Sequence, residues 1–323
     1  MIFDIHAHVF PYSFMDSVRR GMLPGIKLSV NPNGKEVLTF DGYAHPCTPV
    51  FYDVQAQLAL MDQHGVDRKA ISLAPRLFLY HLPAETVNPL CIRWNDDLLQ
   101  QCSDYPQRFV PVGTLPMQDT ALAVKELDRL HRSGVKMIQI GTTVDGRCLD
   151  EERFFPILEA AARTGTVLLL HPLITPGDWQ TPRYHLGNVA GNPYQTMAAA
   201  GCLIGSGILD RLPDLRIFLV HGGGALPYQI HRMDHAFRVR PQGTFRCAKL
   251  PSEYLRTNFW FDGLTFDADA TLLLRRVAGD DRVCYGTDAP YDMTDYDQLA
   301  RCESDELYRK IANENGLRLL GIQ

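Results

Sequence analysis

The sequence predicts an α/β fold: a (β/α)8 barrel in one domain, with an insertion after the first strand. Three observations carry this. Short β-prone runs alternate with segments of helical period along nearly the whole 323-residue chain. There are eight such runs, the number a closed parallel barrel needs. Two of them, Thr166-Val167-Leu168-Leu169-Leu170 and Leu215-Arg216-Ile217-Phe218-Leu219-Val220, are almost continuously apolar, as strands buried on both faces are. An open doubly-wound sheet is the alternative, but no Gly-x-Gly-x-x-Gly follows the first run.

The predicted strands are 1–6, 69–74, 109–114, 135–140, 166–171, 215–221, 258–263 and 282–287. The first, Met1-Ile2-Phe3-Asp4-Ile5, runs directly into His6-Ala7-His8. Residues 11–52 interrupt the alternation. Pro, Gly and Asn are frequent there and no helical period is sustained, so the segment reads as an insertion over the barrel mouth. Within it, Ile26 to Asp41 suits a small hairpin turning at Asn33-Gly34. Asp53 to His64 then has apolar residues at Val54, Leu58 and Met61, with Gly65 as a stop. Ala121 to Arg132 carries Leu122, Val124, Leu127 and Leu130 before Gly134. Glu151 to Arg163 carries Phe154, Phe155, Leu158, Ala161 and Ala162 before Gly165. A second irregular loop is expected at 172–192, a helix at Ala225–Arg240 and a helical tail at 295–323.

Composition narrows the function classes. Apolar residues make up 46% of the chain, enough for a large core, and the net charge of −5 leaves no electrostatic footprint for nucleic acid. No apolar run reaches the roughly 18 residues of a membrane span. The N-terminus lacks the pattern of a secretory signal. The eight cysteines are scattered without a Cys-x-x-Cys, and several sit in apolar contexts. They read as reduced thiols of a cytoplasmic protein.

In barrel enzymes the chemistry sits where strands end, so the polar residues at those positions matter most. Side chains alternate along a strand, so His6 and His8 project together. Alone, the pair is either a clamp for a divalent metal or a chance repeat on a half-exposed strand. But predicted strand 5 ends in His171, strand 6 in His221 and strand 8 in Asp288. Four of the eleven histidines thus end three strands, and an aspartate ends a fourth. His6, His8, His171 and Asp288 supply three nitrogens and one oxygen, a set suited to zinc with a position left open. His221 then lies beside the metal, free to move protons near neutral pH. Asp262 ends predicted strand 7 and reads as a supporting residue. Asp4 shares the pleat phase of the pair and reads as an outer acceptor for it.

These stretches, together with Ile138-Gln139-Ile140-Gly141, Arg232-Met233-Asp234, Pro251-Ser252-Glu253-Tyr254 and Asp281-Arg282-Val283, occur in an order and spacing that resembles the amidohydrolase superfamily. Within it, the closest likeness is to the aminocarboxymuconate-semialdehyde decarboxylase-like branch. The resemblance implies a barrel of the metal-dependent hydrolase type with one divalent ion, zinc or alternatively manganese, held by His6, His8, His171 and Asp288. Superfamily members that bridge two metals use a carboxylated lysine at the end of strand 4, and that end has no lysine here. It also implies that Arg232 binds a substrate carboxylate, in cis or from a neighbouring subunit of a homodimer. The other reading of Arg232 is a surface residue paired with Asp234 or Asp210. A second branch arginine is replaced here by His45, which leaves the individual substrate open. Tyr184 and His185 align with pocket residues of the branch. Arg76, after strand 2, places a bidentate cation at the barrel mouth. Phe10, Phe78 and Trp179 are candidates for an apolar wall.

The expected activity is metal-dependent, non-oxidative decarboxylation of an aromatic or unsaturated carboxylic acid. The alternatives are a hydratase or hydrolase of the same branch, or a barrel that binds metal without turnover.

Overall fold

The computed structural model describes residues 1–322 apart from 24, 41, 42 and 174–182. Eight parallel strands form one sheet: β1 (Phe3–Val9), β2 (Arg68–Leu73), β3 (Phe109–Thr114), β4 (Met137–Gly141), β5 (Val167–His171), β6 (Ile217–Leu219), β7 (Phe259–Asp262) and β8 (Val283–Cys284). Each pairs with its sequence neighbour. Beyond β8 the chain returns to β1: Ile5 N–H donates to Tyr285 O at 3.0 Å and His8 N–H to Ala289 O at 2.7 Å. A parallel bridge between Ala7 and Ala289 completes the closure.

Local chemistry explains the helices between the strands. Asp53, Asp119 and Asp267 cap the helices Val54–Gln63, Thr120–Arg132 and Ala268–Ala278, each accepting from a backbone N–H two or three residues on. The helix Phe155–Thr164 ends at Gly165, whose φ of 65° a side chain would resist. Alternate residues of β5 pack in different apolar clusters. Val167 and Leu169 join Phe3, Ile5, Leu319 and Leu320, whereas Leu168 and Leu170 join the layer shared with the outer helices. That two-sided burial is why the run has no polar alternation.

Residues 11–52 differ from expectation in two respects. A helix, Tyr12–Arg19, stands where no helical period is evident. Its N-cap is Pro11 with no side-chain cap, and it is held by burial of Phe14, Met15 and Val18. Packing, not local propensity, makes it a helix. The hairpin of Ile26–Val30 and Glu36–Phe40 is extended by a third antiparallel strand, Tyr43–Pro46. Asn33-Gly34 lies in its turn, as expected, within a loop where Asn31 Oδ1 accepts from Asn33 N and Lys35 N. The chain's last helical turns, from Lys310 to Leu320, pack against β1 and β8. Among the described residues no helix is long and apolar enough to cross a membrane.

Candidate active site

The C-terminal ends of β1, β5, β6, β7 and β8 bring together the residues singled out by sequence. Strand β1 extends through the pair to Val9, so His6 and His8 lie within it. His6 Nδ1 donates to Asp262 Oδ2 at 2.8 Å. His8 Nδ1 lies 3.0 Å from Leu73 O, and His171 Nδ1 2.7 Å from Pro172 O. Carbonyl and carboxylate oxygens only accept, so each Nδ1 carries a hydrogen and, in the neutral imidazole, each Nε2 keeps a lone pair.

Those lone pairs face one another. His6 Nε2 is 3.1 Å from His8 Nε2. Asp288 Oδ1 is 3.0 Å from His8 Nε2 and 3.5 Å from His6 Nε2. His171 Nε2 is buried with no hydrogen-bond partner among the described residues. One donor atom each from His6, His171, His221 and Asp288 lies within 4.8 Å of the others. Converging lone pairs repel unless a cation sits among them, and imidazole nitrogens with a carboxylate oxygen fit a divalent ion. Burial, reinforced by the imidazoles of His8, His221 and His6, presses His171 well below the ordinary imidazole range. Burial would raise the Asp288 carboxyl, but His6, His221 and His8 hold it well below the usual carboxylate range. His171 is therefore neutral and Asp288 anionic, the states in which each can donate to a metal.

Asp262 connects the two halves of the cluster. Besides His6, its carboxylate accepts from His221 N at 2.9 Å and Gly222 N at 2.7 Å. His221 and Asp288 both adopt left-handed backbone, with φ of 56° and 61°. Such conformations in bulky residues concentrate at functional sites. Downstream, a Cβ on Gly224 would run into the backbone of Pro193, so only glycine lets that turn approach the start of the helix Asn192–Gly205. His221 Nε2 faces Asp288 Oδ2 at 3.4 Å, and its side chain is 17% exposed against 0% for His6 and His8. It is therefore the imidazole best placed to meet a substrate.

Asp4 braces backbone, not imidazole. Its carboxylate accepts from His6 N at 3.2 Å, Thr287 N at 3.0 Å and Thr287 Oγ1 at 2.6 Å, which pins the turn carrying Asp288. Two supporting groups were not foreseen. Gln139, on the strand without the lysine, donates to Leu73 O at 2.9 Å and lies 2.7 Å from Ser72 Oγ. The signal was there: a lone polar residue inside the apolar run Met137-Ile138-Gln139-Ile140. The ring of Tyr291 packs 5.3 Å from that of His8, and nothing in the local sequence announces it.

The predicted substrate contacts do not gather in the same way. His221 and Asp288 line a cavity of about 400 Å³ with Asn192, Leu264, Phe266 and Met293. A larger cavity of about 910 Å³ includes Arg76, Phe78, Gly141 and Thr142, but none of the five clustered side chains. Of the two, the smaller one reaches the clustered side chains. His45 is buried, with the rings of Phe10, Phe51 and Tyr291 at 5.2–5.4 Å, and lines neither cavity. Phe10 is a core residue packed on Phe14 and Phe51. Tyr184, at 83% exposure, and His185 are on the surface. Trp179 lies outside the described residues. Arg232 is exposed on the helix Leu226–Val239 and lines neither cavity. The ion pairs considered for it are not made: Asp234 is engaged by His231 and Ser252 N, and Asp210 by Tyr254 and Ala248 N.

Known proteins are similar to this chain over most of its length. The 2-amino-3-carboxymuconate-6-semialdehyde decarboxylase of Dictyostelium discoideum is 30% identical, over 97% of this chain and 88% of its own. The gamma-resorcylate decarboxylase of a Polaromonas species is 29% identical, over 76% of this chain and 79% of its own. Among solved structures, the 5-carboxyvanillate decarboxylase of Novosphingobium aromaticivorans, complexed with manganese and 4-hydroxy-3-methoxy-5-nitrobenzoic acid, superposes with a TM-score of 0.82. It is 26% identical, and the match covers 100% of this chain and 96% of that one. The family model described as amidohydrolase matches residues 3–322, and the chain belongs to that family.

Proposed function

We propose that this chain is a metal-dependent, non-oxidative decarboxylase, a carbon–carbon lyase acting on an aromatic or unsaturated carboxylic acid. The observation that carries the reading is the set of inward-facing Nε2 atoms around Asp288, with the more exposed His221 beside them. The decarboxylase relatives support it. His6, His8, His171 and Asp288 would hold one divalent ion, manganese or zinc. Bound there, the ion would act as a Lewis acid toward substrate oxygens.

The chain's own groups account for the rest. Decarboxylation breaks one carbon–carbon bond, releases carbon dioxide and leaves the electron pair on carbon. His221 delivers the proton that replaces it, so no oxidant or organic cofactor is required. Leu264, Phe266 and Met293 offer the smaller cavity an apolar wall suited to a flat unsaturated skeleton. Arg76 anchors a carboxylate from the rim. Arg232, exposed and outside both cavities of its own chain, anchors one from the second copy of a homodimer.

Metal-loaded protein should release carbon dioxide from at least one of a panel of hydroxybenzoates and muconate-type acids. If it releases none while hydrating an unsaturated diacid, the hydratase reading replaces this one.

A further inference from the structure

Three metal-binding side chains meet at the wall of the larger cavity, away from the strand-end cluster. After β4 the chain forms a tight hairpin, Thr143–Val144 against Arg147–Cys148. Its turn is Asp145-Gly146, both at positive φ, the pairing that suits a two-residue hairpin loop. The hairpin delivers Cys148 and, past buried Leu149, Asp150. The helix Asn192–Gly205 supplies Cys202. One donor atom from each of the three lies within 4.8 Å of the others, and all three residues are half-buried. Cys148 lines the larger cavity together with Ala198 and Ala199 of that helix. Nearby cations are committed elsewhere: Arg147 pairs with Glu151 at 3.2 Å and Arg211 with Glu152 at 3.5 Å. Burial, then the neighbouring Cys148 and Asp150, push the Cys202 thiol up to about 12.

We propose that Cys148, Asp150 and Cys202 form a second cation site, which takes a thiophilic divalent ion such as zinc or cadmium. Two sulfurs and one carboxylate oxygen suit a borderline-soft ion, whereas magnesium and calcium favour all-oxygen shells. Solvent from the larger cavity completes the coordination. On binding, the two sulfur–hydrogen bonds give way to sulfur–metal bonds, and the two protons leave to water. The site would tie the hairpin to the helix, two walls of the same cavity.

The test is cadmium titration of the reduced, metal-stripped full chain, following the thiolate-to-cadmium charge-transfer band and the metal retained after gel filtration. The strand-end cluster contains no thiol, so the band reports the second site whatever the first one does. We expect two cadmium ions per chain and a band that saturates with one of them. Cadmium should also protect Cys148 and Cys202, and not the other cysteines, from alkylation. The Cys148→Ser/Cys202→Ser double variant should retain one ion and lose the band. Asp150→Asn, which keeps both thiols, should weaken binding at this site about tenfold, and it carries the test if the double variant does not fold. A wild-type chain that retains a single ion without a band, a band that persists in the double variant, or unchanged affinity in Asp150→Asn would overturn the proposal. So would a Cys148–Cys202 disulfide that forms in air despite saturating cadmium.

Discussion

The floor of the candidate active site and its rim are built by opposite means. On the floor, three of the four clustered imidazoles are held from behind at Nδ1: His6 by Asp262, His8 by Leu73 O and His171 by Pro172 O, whereas His221 is fixed through its backbone N–H to Asp262. His6 and His8 are fully enclosed, and the strands beneath them share one hydrogen-bonded sheet. On the rim, Arg76 sits on a short helical turn, Tyr184 and His185 on an exposed connection, and Arg232 on an outer helix. Rigid support determines where charge can be stabilised, hence the class of reaction. Loop-borne contacts determine what is admitted. The contrast therefore separates what is catalysed from what is bound.

The largest effects should come from the floor. Asp288→Ala removes the anion of the cluster and leaves imidazoles alone. The ion of the strand-end site should be lost by elemental analysis, leaving at most the one held by Cys148, Asp150 and Cys202, and turnover should drop about 10³-fold or more. Adding metal back should not restore it, whereas chelated wild-type protein should recover. His221→Asn should keep the metal and lose about 10²–10⁴-fold in kcat, the contribution of a placed proton donor. Loss of metal in that variant would instead make His221 a ligand, and the floor would then lack a proton carrier.

Asp262→Asn should cost about 10–100-fold in metal affinity or activity, as expected for a group that orients a ligand. The isosteric amide cannot accept from His6 and from the His221 turn with the same strength. Gly286→Ala probes packing in the same place. A Cβ there would lie 2.8 Å from Asp262 Cβ and 2.9 Å from His6 Cβ. The expected outcome is a loss of about 1–3 kcal/mol of stability by thermal melting, with a smaller fall in activity than for Asp262→Asn.

The same contrast explains what could be read from the sequence. The eight strands are visible because a strand buried on both faces must be apolar throughout, and residues that break that rule at the strand ends are the ones that gather in the cluster. Gln139 broke it one residue earlier in its strand and was passed over. The helix Tyr12–Arg19 was hidden because it lacks a capping residue and is held by Phe14 and Met15 against the rest of the fold. Asp4 was assigned to the imidazoles because it shares their pleat phase. But the register between β1 and β2 shifts between Asp4 and Ala7, and its partner Thr287 is far away in sequence. His45 illustrates the limit at the rim: the aromatic rings around it come from four separate segments, so no local pattern reveals that it is enclosed.

The smallest predicted effect tests the rim most sharply. Arg232 makes no ion pair with Asp234 or Asp210, and it projects from an outer helix. Its removal should therefore cost the folded chain no more than about 0.5 kcal/mol. If it reaches the site of a second copy, Arg232→Ala should raise KM roughly tenfold, the worth of one charge-assisted hydrogen bond, and leave kcat and metal content unchanged. Arg232→Lys keeps the charge but not the fork, and should recover only part of the affinity. Mixing Arg232→Ala with His221→Asn supplies the decisive comparison. A mixed dimer would pair one site that has an intact His221 with an arginine donated by the other chain. Recovery of wild-type KM in that mixture would show the arginine acting between copies. An unchanged KM in Arg232→Ala alone would return this residue to an ordinary solvated helix face and leave Arg76 as the rim's carboxylate anchor.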